Sequence, residues 1–336
     1  MRKLWNHRKA WAGYAFVILA LHIGGIIGLS IAGRNDPAFW SLGLLAYSLG
    51  MRHAFDADHI AAIDNTVRKL VQQKHSPLGV GFYFSLGHSS VVFLMVLGVA
   101  FSVKWIQREM PSLQETGKLI GTSVSGIFLI LIGILNLIIL VNLFQLFRKM
   151  KSGHYKNDQL EQLLEARGLF SRIFRPLQRF ISRSWHVYPL GFLFGLGFDT
   201  ASEVGLLALS AGAAKSSVSM LGILSLPLLF AAGMSLLDTA DGMFMTKAYR
   251  WAFHTPLRKL FYNVTVTSVS VVSALLIGMV ELLQIMEERL EWSSPFFRWI
   301  ASIDLGDLGY VLVALFIAAW LISVMVWKSL KVEQRY

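Results

Sequence analysis

Apolar residues run along this chain in stretches of about 20, the length at which an α-helix crosses the hydrocarbon of a bilayer. The stretches predict helices near 12–32, 38–65, 78–102, 119–147, 187–213, 219–246, 259–284 and 308–327. That pattern is an all-α, polytopic membrane protein of eight transmembrane helices, with 1–336 forming a single domain. Only 148–186 is long enough to form anything outside the bilayer. Within it, residues 157–167 fit an amphipathic surface helix, with Leu160, Leu163 and Leu164 on one face and Gly168 as its stop. The loop as a whole reads as a structural spacer.

Charge orients the helices, because short cytoplasmic loops collect Lys and Arg. Arg2, Lys3, Arg8 and Lys9 precede the first span, and Arg68, Lys69 and Lys74 follow the second. Arg148, Lys149, Lys151 and Lys156 open the basic central loop, Lys247, Arg250, Arg258 and Lys259 join the sixth and seventh spans, and Lys328, Lys331 and Arg335 follow the eighth. The seventh-to-eighth connection is acidic instead, with Glu287, Glu288, Glu291, Asp304 and Asp307. Both termini and the 148–186 loop are therefore expected in the cytoplasm. The first apolar run lacks a small-residue cleavage site and reads as a retained helix.

Composition agrees: 55% of the 336 residues are apolar, and the mean hydropathy is +0.56. The formal charge of +11 falls at membrane edges with no soluble domain to organise it, so topology accounts for it and nucleic acid does not. A count of zero cysteines excludes disulfides, thiolate metal sites and thiol nucleophiles.

Chemistry enters where ionisable residues interrupt the apolar spans. A charge at the bilayer centre costs about 2.5–3.5 kcal/mol to insert, so such residues mark an ion or proton path. Residues 50–60 read Gly-Met-Arg-His-Ala-Phe-Asp-Ala-Asp-His-Ile. Helical neighbours three apart make His53, Asp56 and His59 a connected strip, with the carboxylate between two imidazoles. Asp58 faces away from His53 unless the helix is broken there, and would support a histidine of a neighbouring helix. The third span supplies Ser85-Leu86-Gly87-His88-Ser89-Ser90, a histidine among small residues that let backbones approach closely. The fifth places Asp199 and Glu203 four apart on one face, and the sixth carries Asp238 and Asp241.

Six carboxylates, Asp56, Asp58, Asp199, Glu203, Asp238 and Asp241, thus stand against Arg52 as the one deeply placed cation. Facing lipid, they would cost roughly 15–20 kcal/mol, more than a typical net stability of about 5–15 kcal/mol. They must face one another, water or a bound cation. Some fit a structural network of protonated, hydrogen-bonded carboxylates, with Arg52 paired to Asp56. Two imidazoles beside Asp56 do not. Imidazole and carboxylate without thiolate suit a borderline divalent ion such as Ni²⁺, Co²⁺ or Zn²⁺. The 12 Met are scattered at packing positions, which argues against copper. Phe55-Asp56-Ala57 is echoed by Phe198-Asp199-Thr200 in a span of opposite direction, as an inverted repeat would require.

Four ordered segments, Arg-His-Ala-Phe-Asp-Ala-Asp-His-Ile (52–60), Ser-Leu-Gly-His-Ser-Ser-Val-Val (85–92), Leu-Gly-Phe-Asp-Thr-Ala-Ser-Glu (196–203) and Gly-Met-Ser-Leu-Leu-Asp-Thr-Ala-Asp (233–241), closely resemble the signatures of the NiCoT nickel/cobalt transporter family. The resemblance implies high-affinity uptake of Ni²⁺ and/or Co²⁺ by a single-subunit permease of the bacterial inner membrane. It implies metal recognition at His53, Asp58 and His59, with Asp56 as a further acidic position and His88 as the third-span histidine. Relatives with Phe55 and a first-span histidine like His22 tend toward cobalt as well as nickel, although His22 also reads as an ordinary polar packing residue. Ser90 stands where the family usually has Thr, which keeps the hydroxyl. The transported ion and the bilayer are the implied partners, and no prosthetic group is implied.

No Gly-rich phosphate loop ending in Lys-Ser or Lys-Thr is present, so transport is expected to be secondary, driven by the membrane potential or a coupled ion. A metalloprotease would show His-Glu-x-x-His, and a di-iron desaturase would need clustered His boxes; neither occurs among the nine His. Site chemistry does not set the direction of transport. The poverty of histidine in 148–186, with only His154 and His186, favours import over export.

Overall fold

The computed structural model describes residues 2–34, 36–101, 103–151, 181–197, 201–215, 218–252, 256–290, 294–303 and 305–329. Among the described residues there are α-helices and no strand: α1 (Arg2–Gly33), α2 (Phe39–His53), α3 (Ala57–Gln72), α4 (Val80–Phe101), α5 (Val103–Lys151), α6 (Val187–Gly195), α7 (Ala201–Lys215), α8 (Met220–Ala252), α9 (Pro256–Leu290), α10 (Pro295–Ala301) and α11 (Leu305–Ser329). Among the described residues, five helical segments are long and apolar enough to cross a membrane: Trp11–Gly33, Val80–Phe101, Glu115–Ile138, Met220–Arg250 and Thr267–Leu290. Ser202–Ala214 and Leu308–Ile322 are shorter apolar helices.

The expected second and fifth spans are not continuous. The second divides into α2 and α3, and the fifth into α6 and α7. The acidic seventh-to-eighth connection is shorter than expected, because α9 runs on to Leu290 and carries Glu287 and Glu288 as helical residues. Glu288 pairs with Lys118 of α5 at 2.8 Å, and Arg289 with Glu115 at 3.1 Å. The amphipathic segment at 157–167 lies outside the described residues.

The break after His53 has a local cause. Phe55 and Asp56 donate their N–H groups to Arg52 and His53, three residues back, which tightens the end of α2. Asp56 then turns extended (φ −64°, ψ 142°) and its Oδ1 accepts the Ala57 N–H at 2.9 Å, capping α3. Asp58 Oδ1 accepts the His59 N–H at 2.7 Å. Two carboxylates thus satisfy N–H groups that a helix start leaves open, and they complement the positive end of its dipole.

The helices gather around α8, which contacts α1, α2, α3 and α4, while α5 packs along α9. Helix α3 is enclosed by α4, α5, α8, α9 and α11, and nearly all of its residues are buried. It carries His59, Asp64, Asn65, Thr66 and Arg68 into the interior. Protein rather than lipid surrounds the break and the polar helix, the setting in which irregular backbone at membrane depth is tolerated. Here the charge reading of the second-to-third connection is corrected: Arg68 is not a loop residue but is fully buried on α3. Arg52, taken above as the deep cation, is exposed.

Helix α4 is wedged between α8 and α6 through glycines. A Cβ on Gly81 would collide with the Asp238 carbonyl of α8, and one on Gly87 with the Tyr188 carbonyl and the Phe192 N of α6. Because rigid backbone is the obstacle, Gly87→Leu is expected to destabilise the protein by about 3 kcal/mol or more. A thermal melt of the detergent-purified protein, with a lowered midpoint and reduced membrane yield, checks this.

Candidate metal site

The end of α2, the start of α3 and the middle of α4 meet at three imidazoles. His53, His59 and His88 are 2%, 1% and 2% exposed, and each offers a ring nitrogen within 4.8 Å of the others. Ring centroids lie 4.6 Å apart for His53–His59 and His53–His88, and 4.8 Å for His59–His88. In an unbroken helix, six residues would turn His59 about 120° away from His53. The break closes that angle. The expected strip with Asp56 between the imidazoles is therefore corrected: the rings meet directly, and Asp56 is the cap of α3, its Oδ2 4.0 Å from His53 Nδ1.

Carboxylates approach this group from two further helices. Glu203, in the first turn of α7, places Oε1 2.8 Å from His88 Nε2. Asp238 of α8 places Oδ2 3.5 Å from His59 Nδ1. His88 Nε2 also stands 2.9 Å from His53 Nε2. One imidazole nitrogen carries at most one proton, so His88 Nε2 donates to Glu203 or is a lone pair facing His53, according to tautomer. Both ring nitrogens of His59, Nδ1 of His88 and both carboxylate oxygens of Asp238 are buried without a hydrogen-bond partner. Buried polar atoms are normally bonded, so this concentration of unbonded nitrogen and oxygen marks the group as chemically incomplete.

The other sequence candidates take different places. Asp58 is half-buried and bonded to the backbone of α3. Asp241, one turn beyond Asp238, has a buried Oδ2 without a partner. Phe55 stacks on Tyr310 of α11, with ring centroids 4.9 Å apart. His22 lies outside the three-imidazole group, with Nδ1 2.8 Å from the Ile18 carbonyl and Nε2 3.3 Å from the Tyr47 hydroxyl. Arg52 does not form the expected arrangement with Asp56, which instead caps α3 and approaches His53. Asp199 lies outside the described residues.

The sequence reading missed a second buried polar group. Tyr249 of α8 donates to Asp64 Oδ1 at 2.6 Å and lies 3.2 Å from Ser270 Oγ of α9. Arg68 is buried next to them. The four-residue spacing of Asp64 and Arg68 was a legible signal, masked by its position at the basic end of an apolar run.

Comparison with known proteins gives the arrangement a context. The family model described as high-affinity nickel-transport protein, NicO, matches residues 39–326. The chain is 56% identical to the nickel transporter NixA of Staphylococcus aureus over 98% of both chains. It is 50% identical to the nickel transporter NicT of Mycobacterium tuberculosis, over 95% of this chain and 89% of the relative. It is 41% identical to the cobalt transport protein NhlF of Rhodococcus rhodochrous, over 94% of this chain and 91% of the relative. No solved structure matches the chain. The residues that build the break, the three-imidazole group and its carboxylates all fall within the matched segment, and the chain belongs to the NicO family of high-affinity nickel transporters, which are permeases and not enzymes.

Proposed function

We propose that this protein takes up Ni²⁺ and/or Co²⁺ across the bacterial cytoplasmic membrane by secondary transport, with His53, His59 and His88 receiving the dehydrated ion. The observation that carries the reading is the convergence of three buried imidazoles, with both ring nitrogens of His59 and Nδ1 of His88 buried and unbonded. Imidazole binds first-row ions at about 2.0–2.1 Å, so two such ligands at a right angle on one ion stand about 2.9 Å apart. His53 Nε2 and His88 Nε2 are 2.9 Å apart. Glu203 and Asp238, beside the rings of His88 and His59, orient them and offset the ion's charge. Nitrogen and oxygen donors without thiolate match a borderline divalent ion, in keeping with the nickel and cobalt named for the relatives.

In this reading the chain crosses the membrane eight times, two of the crossings being broken helices, with both termini in the cytoplasm. An inside-negative potential favours entry of a divalent ion by about 4.6 kcal/mol per 100 mV. From the imidazoles the ion moves past Asp238 and Asp241 of α8. Asp58 accompanies the path, and Phe55 and His22 act through packing on Tyr310 and Tyr47.

His59→Ala is expected to abolish saturable uptake of radiolabelled Ni²⁺ in cells at matched membrane levels; full uptake by this variant, or increased efflux and metal tolerance from the parent, overturns the assignment. Competition by Co²⁺, Zn²⁺ and Mn²⁺ in the same assay ranks the ions. Asp238→Asn keeps the shape of the side chain and removes its charge, so equilibrium Ni²⁺ binding to purified protein should weaken about 10–100-fold. Unchanged affinity would mean that Asp238 does not support His59.

A further inference from the structure

Arg68 is the largest fully buried side chain described, at 0% exposure, and none of its three guanidinium nitrogens has a hydrogen-bond partner among the described residues. It lies four residues after Asp64 on one face of α3 and interacts electrostatically with Asp64 and Tyr249. Tyr249 also reaches Ser270, so α3, α8 and α9 are tied together at this level. Asp64 Oδ2 and Asp241 Oδ2 are buried and unbonded, and the two carboxylates are close enough to interact.

The place of this cluster follows from helix direction. His59 of α3 meets Asp238 of α8, and further along both helices Asp64 meets Tyr249, so the two helices run parallel. Steps of three and four residues put Asp238, Asp241, Met245 and Tyr249 on one face of α8. Asp241 and Met245 therefore lie between the imidazole group and the Asp64–Arg68–Tyr249 junction. A guanidinium that serves a fixed structural pair normally makes forked hydrogen bonds to its carboxylate. Arg68 makes no such bond among the described residues.

We propose that Arg68 is the inner gate of the metal path. Its guanidinium stands as a tethered cation by Asp64, past Asp241 on the way from the imidazoles, and it swings away for the ion to leave toward the cytoplasm. The proposal rests on the reading that His53, His59 and His88 hold the ion and that the C-terminal end of α3 faces the cytoplasm. Repulsion between the arriving divalent ion and the guanidinium favours opening, and the guanidinium's return to Asp64 closes the passage behind it.

The chain contains no cysteine, so Met245→Cys, at a side chain 2% exposed, provides a single thiol between the two levels. Its labelling by a membrane-impermeant maleimide is measured in inside-out membrane vesicles, with and without Arg68→Ala or Asp64→Asn. Removing the guanidinium should raise the labelling rate about tenfold, and releasing it from Asp64 about threefold, because access tracks the population of the open form. Equilibrium binding of radiolabelled Ni²⁺ to the purified Arg68→Ala and Arg68→Gln variants should meanwhile stay near that of the Met245→Cys parent. If Arg68→Ala fails to reach the membrane, Asp64→Asn and Arg68→Gln decide. An unchanged labelling rate overturns the gate, as does a rise accompanied by loss of Ni²⁺ binding, which would make Arg68 a structural support. His59→Ala in the same binding assay judges the imidazole reading separately: retained affinity there counts against the metal site, whatever the labelling shows.

Discussion

A helix start leaves backbone N–H groups open, and in this protein Asp56 satisfies one of them and shapes the candidate metal site at once. Its carboxylate caps α3 while the preceding residues close α2 with tight backbone bonds. With the two half-helices no longer in register, His53 and His59 face each other. Helix α4 brings His88 to them because Gly81 and Gly87 allow its backbone to touch α8 and α6.

Burial without bonding is the second theme. The interior holds imidazoles, carboxylates and a guanidinium, and both ring nitrogens of His59, both oxygens of Asp238, one oxygen each of Asp64 and Asp241 and the guanidinium of Arg68 are buried without hydrogen-bond partners on α3 and α8. A protein selected only for stability would replace such groups with apolar side chains of similar volume. Here they form a sequence of levels, imidazoles first, then Asp238 and Asp241, then Asp64 with Arg68 and Tyr249. The levels alternate in what they attract: nitrogen and oxygen ligands for an ion, then carboxylates already attended by an internal cation. The path proposed above would bind the ion and oppose leakage with one set of charges.

The sequence by itself determined the membrane character and the helical class, because runs of apolar residues about 20 long have one stable form in lipid. It also picked out His53, His59, His88, Glu203 and Asp238, since an ionisable residue in an apolar run is conspicuous wherever the chain folds. It could not place them relative to one another. Helical periodicity put Asp56 between two imidazoles, whereas a cap interaction, decided by competition between Asp56 and the next helical turn, brought the imidazoles into contact. The same limit hid Arg68: residue type and a basic neighbourhood marked it as a loop charge, and only the enclosure of α3 by five other helices made it the most deeply buried cation described. Composition and spacing act along one helix, while convergence, burial and pairing are relations between helices, set here by the Asp56 cap and by the glycines that let the α4 backbone touch α8 and α6.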